Sequence, residues 1–115
     1  TIQHSFGGFE MNTVEFIKRY GWEEAKSTVN FFSGIFHKLD ENENVIFTFQ
    51  IDDLKQLVDA WELVHNFGGL KRAKRILKKA YTQFNTMVSV VWNDKPFQCT
   101  IEQLKQAIEL VESVK

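Results

Sequence analysis

The sequence predicts an α+β fold built from two tandem helix–β-hairpin–helix repeats, and three observations lead there. The first is an internal duplication. IDDLKQLVDAWELV (Ile51 to Val64) lies over IEQLKQAIELVESV (Ile101 to Val114) at a constant offset of 50, with 6 of 14 positions identical. The second is a further pair in the same order, FIKRYGWEEAK (Phe16 to Lys26) over LVHNFGGLKRAK (Leu63 to Lys74). There Gly21 faces Gly68, Tyr20 faces Phe67, Ala25-Lys26 faces Ala73-Lys74, and Gly69 reads as the inserted residue. The third is strand-type alternation between the paired helices, with Val45, Phe47 and Phe49 on one side and Ile46 and Thr48 on the other. Two diverged copies of one supersecondary unit account for all three.

Taken in order, residues 1–10 (TIQHSFGGFE) lack the basic stretch and long apolar run of a secretory signal. Met11 followed by Asn-Thr reads as a start, so residues 1–10 are taken as leader or appended sequence and 11–115 as a single domain. Repeat one covers about 12–64 and repeat two about 62–115. Asn12 with Glu15 three residues on forms a capping box for an opening amphipathic helix, broken or bent at Gly21. Strands are expected over Phe32 to Leu39 and Val45 to Gln50, joined by the polar turn DENEN. Asp52 and Asp53 suit the first turn of the closing helix, which runs on into the second copy at Gly68-Gly69. A helix over Leu70 to Phe84 follows, then strands over Met87 to Trp92 and Phe97 to Cys99 joined by NDKP. Thr100 and Gln103 cap the last helix. Two strands alone bury too little apolar surface to be stable. The hairpins are therefore expected edge to edge, as a four-stranded antiparallel sheet with helices on one face.

Composition is that of an ordinary globular chain, 43% hydrophobic and 25% charged, and 11 Phe predict a Phe-rich core. A net charge of −1 predicts no bulk attraction to nucleic acid or membrane, and no run approaches the 18 apolar residues of a membrane span. Cys99 is the only cysteine, so no internal disulfide can form, and a reducing compartment fits.

Chemistry-bearing motifs are sparse. Neither GxGxxG nor GxxxxGK[ST] occurs, and His4, His37 and His65 lack metal-ligand spacing, so no cofactor or metal is expected. Cys99, just before a helix start, sits where a dipole can activate a thiol, but a small packed hydrophobe is the favoured reading. Asp52-Asp53 and Glu23-Glu24 are adjacent on helices and diverge by about 100°, so they do not converge on one substrate. No enzyme is expected.

One segment stands apart. LKRAKRILKKAYTQF (Leu70 to Phe84) carries Lys71, Arg72, Lys74, Arg75, Lys78 and Lys79 and no acid. Leu70, Ala73, Ile76, Leu77, Ala80, Tyr81 and Phe84 follow helical spacing as one buried stripe, leaving the six cations as a band about two and a half turns long. Residues 1–64 hold 11 acids and 5 bases, giving −6, and residues 65–115 hold 4 acids and 9 bases, giving +5. Glu23 and Glu24 in copy one correspond to Lys71 and Arg72 in copy two. A solvated face, an acidic protein partner and the phosphate backbone of a nucleic acid all fit such a band.

FIKRYGWEEAK, DLKQLVDAWELV, GGLKRAK and the terminal IEQLKQAIELVE together resemble small uncharacterised proteins of tailed phages and prophages. In those, a segment of the type FI/VKRxGxExAK precedes a hairpin and an LKxxVxxxELV helix. The resemblance spans residues 12–114, and Phe31, Phe32, Ile35 and Phe36 make this first strand more apolar than the type. It implies an accessory role in the cytoplasm of an infected bacterium and supplies no catalytic or binding residues. The expected function is thus a non-enzymatic macromolecule-binding accessory protein that engages or inhibits a host protein. The alternative is nucleic-acid binding through 71–79. A protein partner is favoured over nucleic acid, no membrane is expected, and Trp22, Trp61 and Trp92, if outward, leave a homodimer open.

Overall fold

The computed structural model describes residues 11–92 and 94–114, so the expectation for residues 1–10 lies outside the described residues. In order the elements are α1 (Met11–Tyr20), α2 (Trp22–Phe31), β1 (Ile35–Leu39), β2 (Val45–Gln50), α3 (Ile51–Asn66), α4 (Leu70–Thr82), β3 (Met87–Trp92), β4 (Lys95–Thr100) and α5 (Ile101–Ser113). This is a mixed α+β fold with two helix–hairpin–helix units. They form two compact bodies, one reaching to Val58 and taking in Val114, the other Asp59–Ser113.

The first unit is organised by phenylalanine. Thr13, Val14, Phe16 and Ile17 follow helical spacing and are buried, so α1 presents one apolar stripe. Phe16 meets Phe36, Phe47 and Phe49 of the antiparallel hairpin at ring-centroid distances of 6.0, 5.8 and 5.2 Å. Edge-on contacts of this kind add about 0.5–1.5 kcal/mol each beyond the area buried. Asn12 lies inside α1 rather than at its cap, and its amide donates to the Thr48 carbonyl at 2.9 Å. The expected box with Glu15 gives way to a tie between helix and hairpin. β1 begins at Ile35, not Phe32, because α2 continues to Phe31 and Gly34 turns the chain through φ 76°. In the hairpin turn the N–H groups of Asn44 and Asn42 donate to Asp40 Oδ1 at 2.9 and 2.8 Å and hold its carboxyl below the usual range.

The second unit repeats the plan with smaller side chains. Ala73 and Ala80, seven residues apart and buried, form the inner stripe of α4. Val88 and Cys99 pair across the hairpin as Phe36 and Phe49 do in the first unit. Thr100 and Gln103 cap α5 reciprocally, at 2.9 and 3.0 Å, as the sequence predicts. β4 starts at Lys95, so the connection is two residues, shorter than NDKP, with Asp94 at φ 62°.

The expected four-stranded sheet does not form among the described residues: β1–β2 and β3–β4 are separate two-stranded sheets. Each hairpin has helix cover within its own unit, α1 on β2, and α4 and α5 on β3 and β4, while Ile35, Leu39, Val45, Met87 and Val91 stay exposed. The strand edges are also poor templates. The β1–β2 register shifts between Lys38 and Leu39, and Pro96 in β4 has no N–H to offer.

The two copies correspond closely in detail. Ile51 N–H donates to Gly34 O at 2.8 Å, and Ile101 N–H donates to Thr86 O at 3.0 Å. Ile51/Ile101, Leu54/Leu104, Leu57/Ala107, Val58/Ile108 and Val64/Val114 are all buried. Gly21 and Gly69 precede α2 and α4 with φ, ψ of 91°, 167° and 101°, 172°, and their carbonyls accept from Ala25 and Ala73. Gly69 is therefore the partner of Gly21, and the inserted residue is Gly68. It closes α3 with a positive φ of 96°, flanked by bonds from Gly68 N–H to His65 O and Gly69 N–H to Val64 O. α4 ends by the same motif, Phe84 N–H to Tyr81 O and Asn85 N–H to Ala80 O, with Phe84 at φ 58° in the place of glycine. The helix thus stops at Thr82, and Phe84, 93% exposed, leaves the buried stripe assigned to it.

Nothing lies within 4 Å of a Cβ placed on Gly21 or Gly69, so alanine there tests backbone strain alone. Gly21→Ala and Gly69→Ala should each lower stability by about 1–3 kcal/mol and by nearly equal amounts in urea denaturation. A large loss at one and none at the other would break the equivalence. Phe84→Gly should raise stability by about 1 kcal/mol, since the left-handed cap is relieved and little burial is lost.

The basic helix as candidate functional site

α4 is helical over all six cations named from the sequence. At about 100° per residue, Lys71 and Arg75 form the crest, with Lys74 and Lys78 on one shoulder and Arg72 and Lys79 on the other. The apolar side follows the predicted stripe through Ala73, Ile76, Leu77 and Ala80, while Tyr81 is 48% exposed at its border.

Each shoulder opens on a different kind of surface. Towards α5 lies a mainly apolar groove of about 470 Å³, floored by Leu77, Tyr81 and Ile108. Lys74 and Lys78 rim it on the α4 side, and Lys105, Glu109 and Glu112 on the α5 side. Towards β3 lies a more polar cleft of about 340 Å³, where Arg72 and Lys79 meet Gln83, Asn85 and Ser89. Arg72 is half-buried, its aliphatic stem lying across Gly68.

Comparison between the copies separates the cations. Lys74 forms an ion pair with Glu112. The corresponding positions in the first copy are Lys26 and Glu62, so both residue types recur. The counterparts of Lys71, Arg72, Arg75, Lys78 and Lys79 are Glu23, Glu24, Ser27, Asn30 and Phe31, none of them basic. Lys74 therefore belongs to the shared scaffold, and the other five are particular to copy two. Among the described residues Lys71, Arg75, Lys78 and Lys79 are exposed and form no ion pair. Placing Lys71, Arg75, Lys78 and Lys79 on one helix face without an ion pair disfavours the helix by a few tenths of a kcal/mol per close pair.

The remaining candidates stay apart. His37 hydrogen-bonds Thr48 Oγ1 at 3.1 Å and His65 stacks on Trp61 with centroids 5.8 Å apart, while His4 lies outside the described residues. Among the described residues no three of His, Cys, Asp and Glu gather into a metal-holding group. Glu23, Glu24 and Asp52 are exposed on their helices. Trp22 and Trp61 are half-buried. Cys99 is 6% exposed in the core, and burial pushes its thiol up against a lowering hydrogen bond from the Leu104 backbone. No helix among the described residues is long and apolar enough to cross a membrane.

Tyr81 and Lys105 escaped the sequence reading as groove residues. Tyr81 falls on the apolar stripe by its spacing, and Lys105 is 24 residues further along on a helix whose approach to α4 no local pattern announces. With this geometry in view, comparisons with protein-family models, curated proteins and solved structures give no match.

A raised thiol pKa leaves Cys99 protonated near neutrality, so maleimide labelling of the folded protein should be slow at pH 7 and accelerate as pH rises. Labelling at the rate of a free thiol at pH 7 would show that the site is open and activated.

Proposed function

We propose that this chain is a non-enzymatic binding protein, an accessory protein of phage or prophage type that engages an acidic protein partner in the bacterial cytoplasm through α4. Inhibition of a host protein is one form such engagement takes. The single observation that carries the reading is the divergence of the copies: core positions are kept, while five cations occur on α4 alone. Lys71, Arg75, Lys78 and Lys79 are exposed and form no ion pair among the described residues, and an acidic partner surface complements them. The apolar groove beside Lys78 favours a protein over a nucleic acid, whose backbone is recognised mainly through hydrogen bonds to phosphate and sugar.

A second reading rests on the cleft towards β3. Arg72 and Lys79, with Gln83, Asn85 and Ser89, form a donor-rich surface that suits a phosphate. Binding to a duplex would then fall steeply as salt rises.

Capture from bacterial lysate with the native chain and with Lys71→Glu, Arg75→Glu, Lys78→Glu and Lys79→Glu combined tests the first reading. A partner retained only by the native chain is expected. Identical partner sets from both proteins would remove α4 from the function. A labelled 20-base-pair duplex should show no binding at low salt, and salt-sensitive binding there would favour the second reading.

A further inference from the structure

We infer that the α4–α5 groove is a seat for an amphipathic helix of the partner, its apolar stripe on Leu77, Tyr81 and Ile108 and an acidic border against α4. This rests on the protein-binding reading above and names the chemistry of the occupant. The groove is mainly apolar at its floor and charged at both rims, the mirror image of a helix with an apolar stripe between charged borders.

Length and spacing agree with a helical occupant. Lys74, Lys78 and Thr82 follow one another at i, i+4 along the α4 rim, and Leu77 and Tyr81 at i, i+4 along the floor. Lys105, Glu109 and Glu112 step along the α5 rim at i+4 and i+3. Rows of this kind interdigitate with the i, i+4 ridges of a third helix. The α4 wall of the groove, from Lys74 to Thr82, is about 12 Å long and takes about two turns of such a partner.

Charge assigns the occupant's polarity. The α4 rim carries no acid: Lys74, Lys78 and Thr82 line the groove, with Lys71 and Arg75 above them. The α5 rim is mixed, Glu109 and Glu112 with Lys105. Glu112 is already engaged by Lys74, which leaves Lys78 and the crest to face incoming acid. A fitting helix therefore carries Glu or Asp on the border towards α4 and at least one Lys or Arg opposite Glu109. Tyr81, amphipathic and 48% exposed, lines the groove as an anchor.

Fluorescence anisotropy with three labelled 16-residue peptides tests this on the full chain. One carries a Leu/Ile stripe with a Glu border, the second is its scramble at equal charge, and the third has the border reversed to Lys. The patterned acidic peptide should bind about tenfold or more tightly than the other two. Lys78→Glu should weaken it about tenfold and strengthen the Lys-bordered peptide, and Tyr81→Glu should weaken both patterned peptides. Circular dichroism of the variants confirms that the fold is kept. Equal binding of scramble and pattern would overturn the helix seat while leaving α4 a binder of acidic proteins. Indifference to Tyr81→Glu, or no binding by any peptide, would also overturn it. Loss of every peptide interaction together with tight duplex binding would overturn the protein-binding reading as well.

Discussion

The structure hinges on two junctions where a strand becomes a helix with no residue between them. β2 ends at Gln50 and α3 begins at Ile51; β4 ends at Thr100 and α5 begins at Ile101. At each, the first helical N–H reaches back to the residue before the opposite strand, Gly34 O or Thr86 O. That N–H would otherwise lack an intrahelical partner, and the bond fixes where the helix leaves the hairpin. With the exit fixed, Leu54 and Leu57 in one copy and Leu104 and Ala107 in the other enter the core. An isolated two-stranded hairpin is marginal in water, and this close coupling to a buried helix supplies what it lacks.

Much of this was legible because it is local or repeated. Val45 to Gln50 alternates cleanly and is a strand over those bounds, and the Thr100–Gln103 box sits three residues apart. What was not legible depends on contacts distant in sequence. Asn12 satisfies a capping pattern, yet its amide serves Thr48, 36 residues away. The apolar run from Phe31 to Phe36 has no period that separates a helix end from a strand start, and the turn at Gly34 decides it. A general need for apolar cover does not specify a merged sheet: each hairpin takes helix cover in its own unit and leaves Ile35, Leu39, Val45, Met87 and Val91 exposed. Of the candidate site, the six cations could be read from one helix, but the groove beside them could not, since α5 supplies half of it.

A duplicated chain carries its own internal control, and here it distinguishes charge that holds the fold from charge that does not. Lys74 and Glu112 recur as Lys26 and Glu62, as residues of a shared frame do. Their pair is about half exposed at both side chains and contributes under about 1 kcal/mol, so it orients more than it stabilises. Lys71, Arg75, Lys78 and Lys79 have no such precedent and no neutralising neighbour among the described residues. Near neutrality in the sum of charges thus coexists with a strongly basic face, because the acids gather in residues 1–64.

α3 belongs to both copies at once: its first 13 residues repeat as α5, and from Leu63 on it repeats α1 from Phe16. The duplication is an overlap, not two complete cassettes in series. A protease cut at 63–64, where the two repeats overlap, would sever the closing helix of one copy and the opening helix of the next in a single event, so no intact half-molecule could be released.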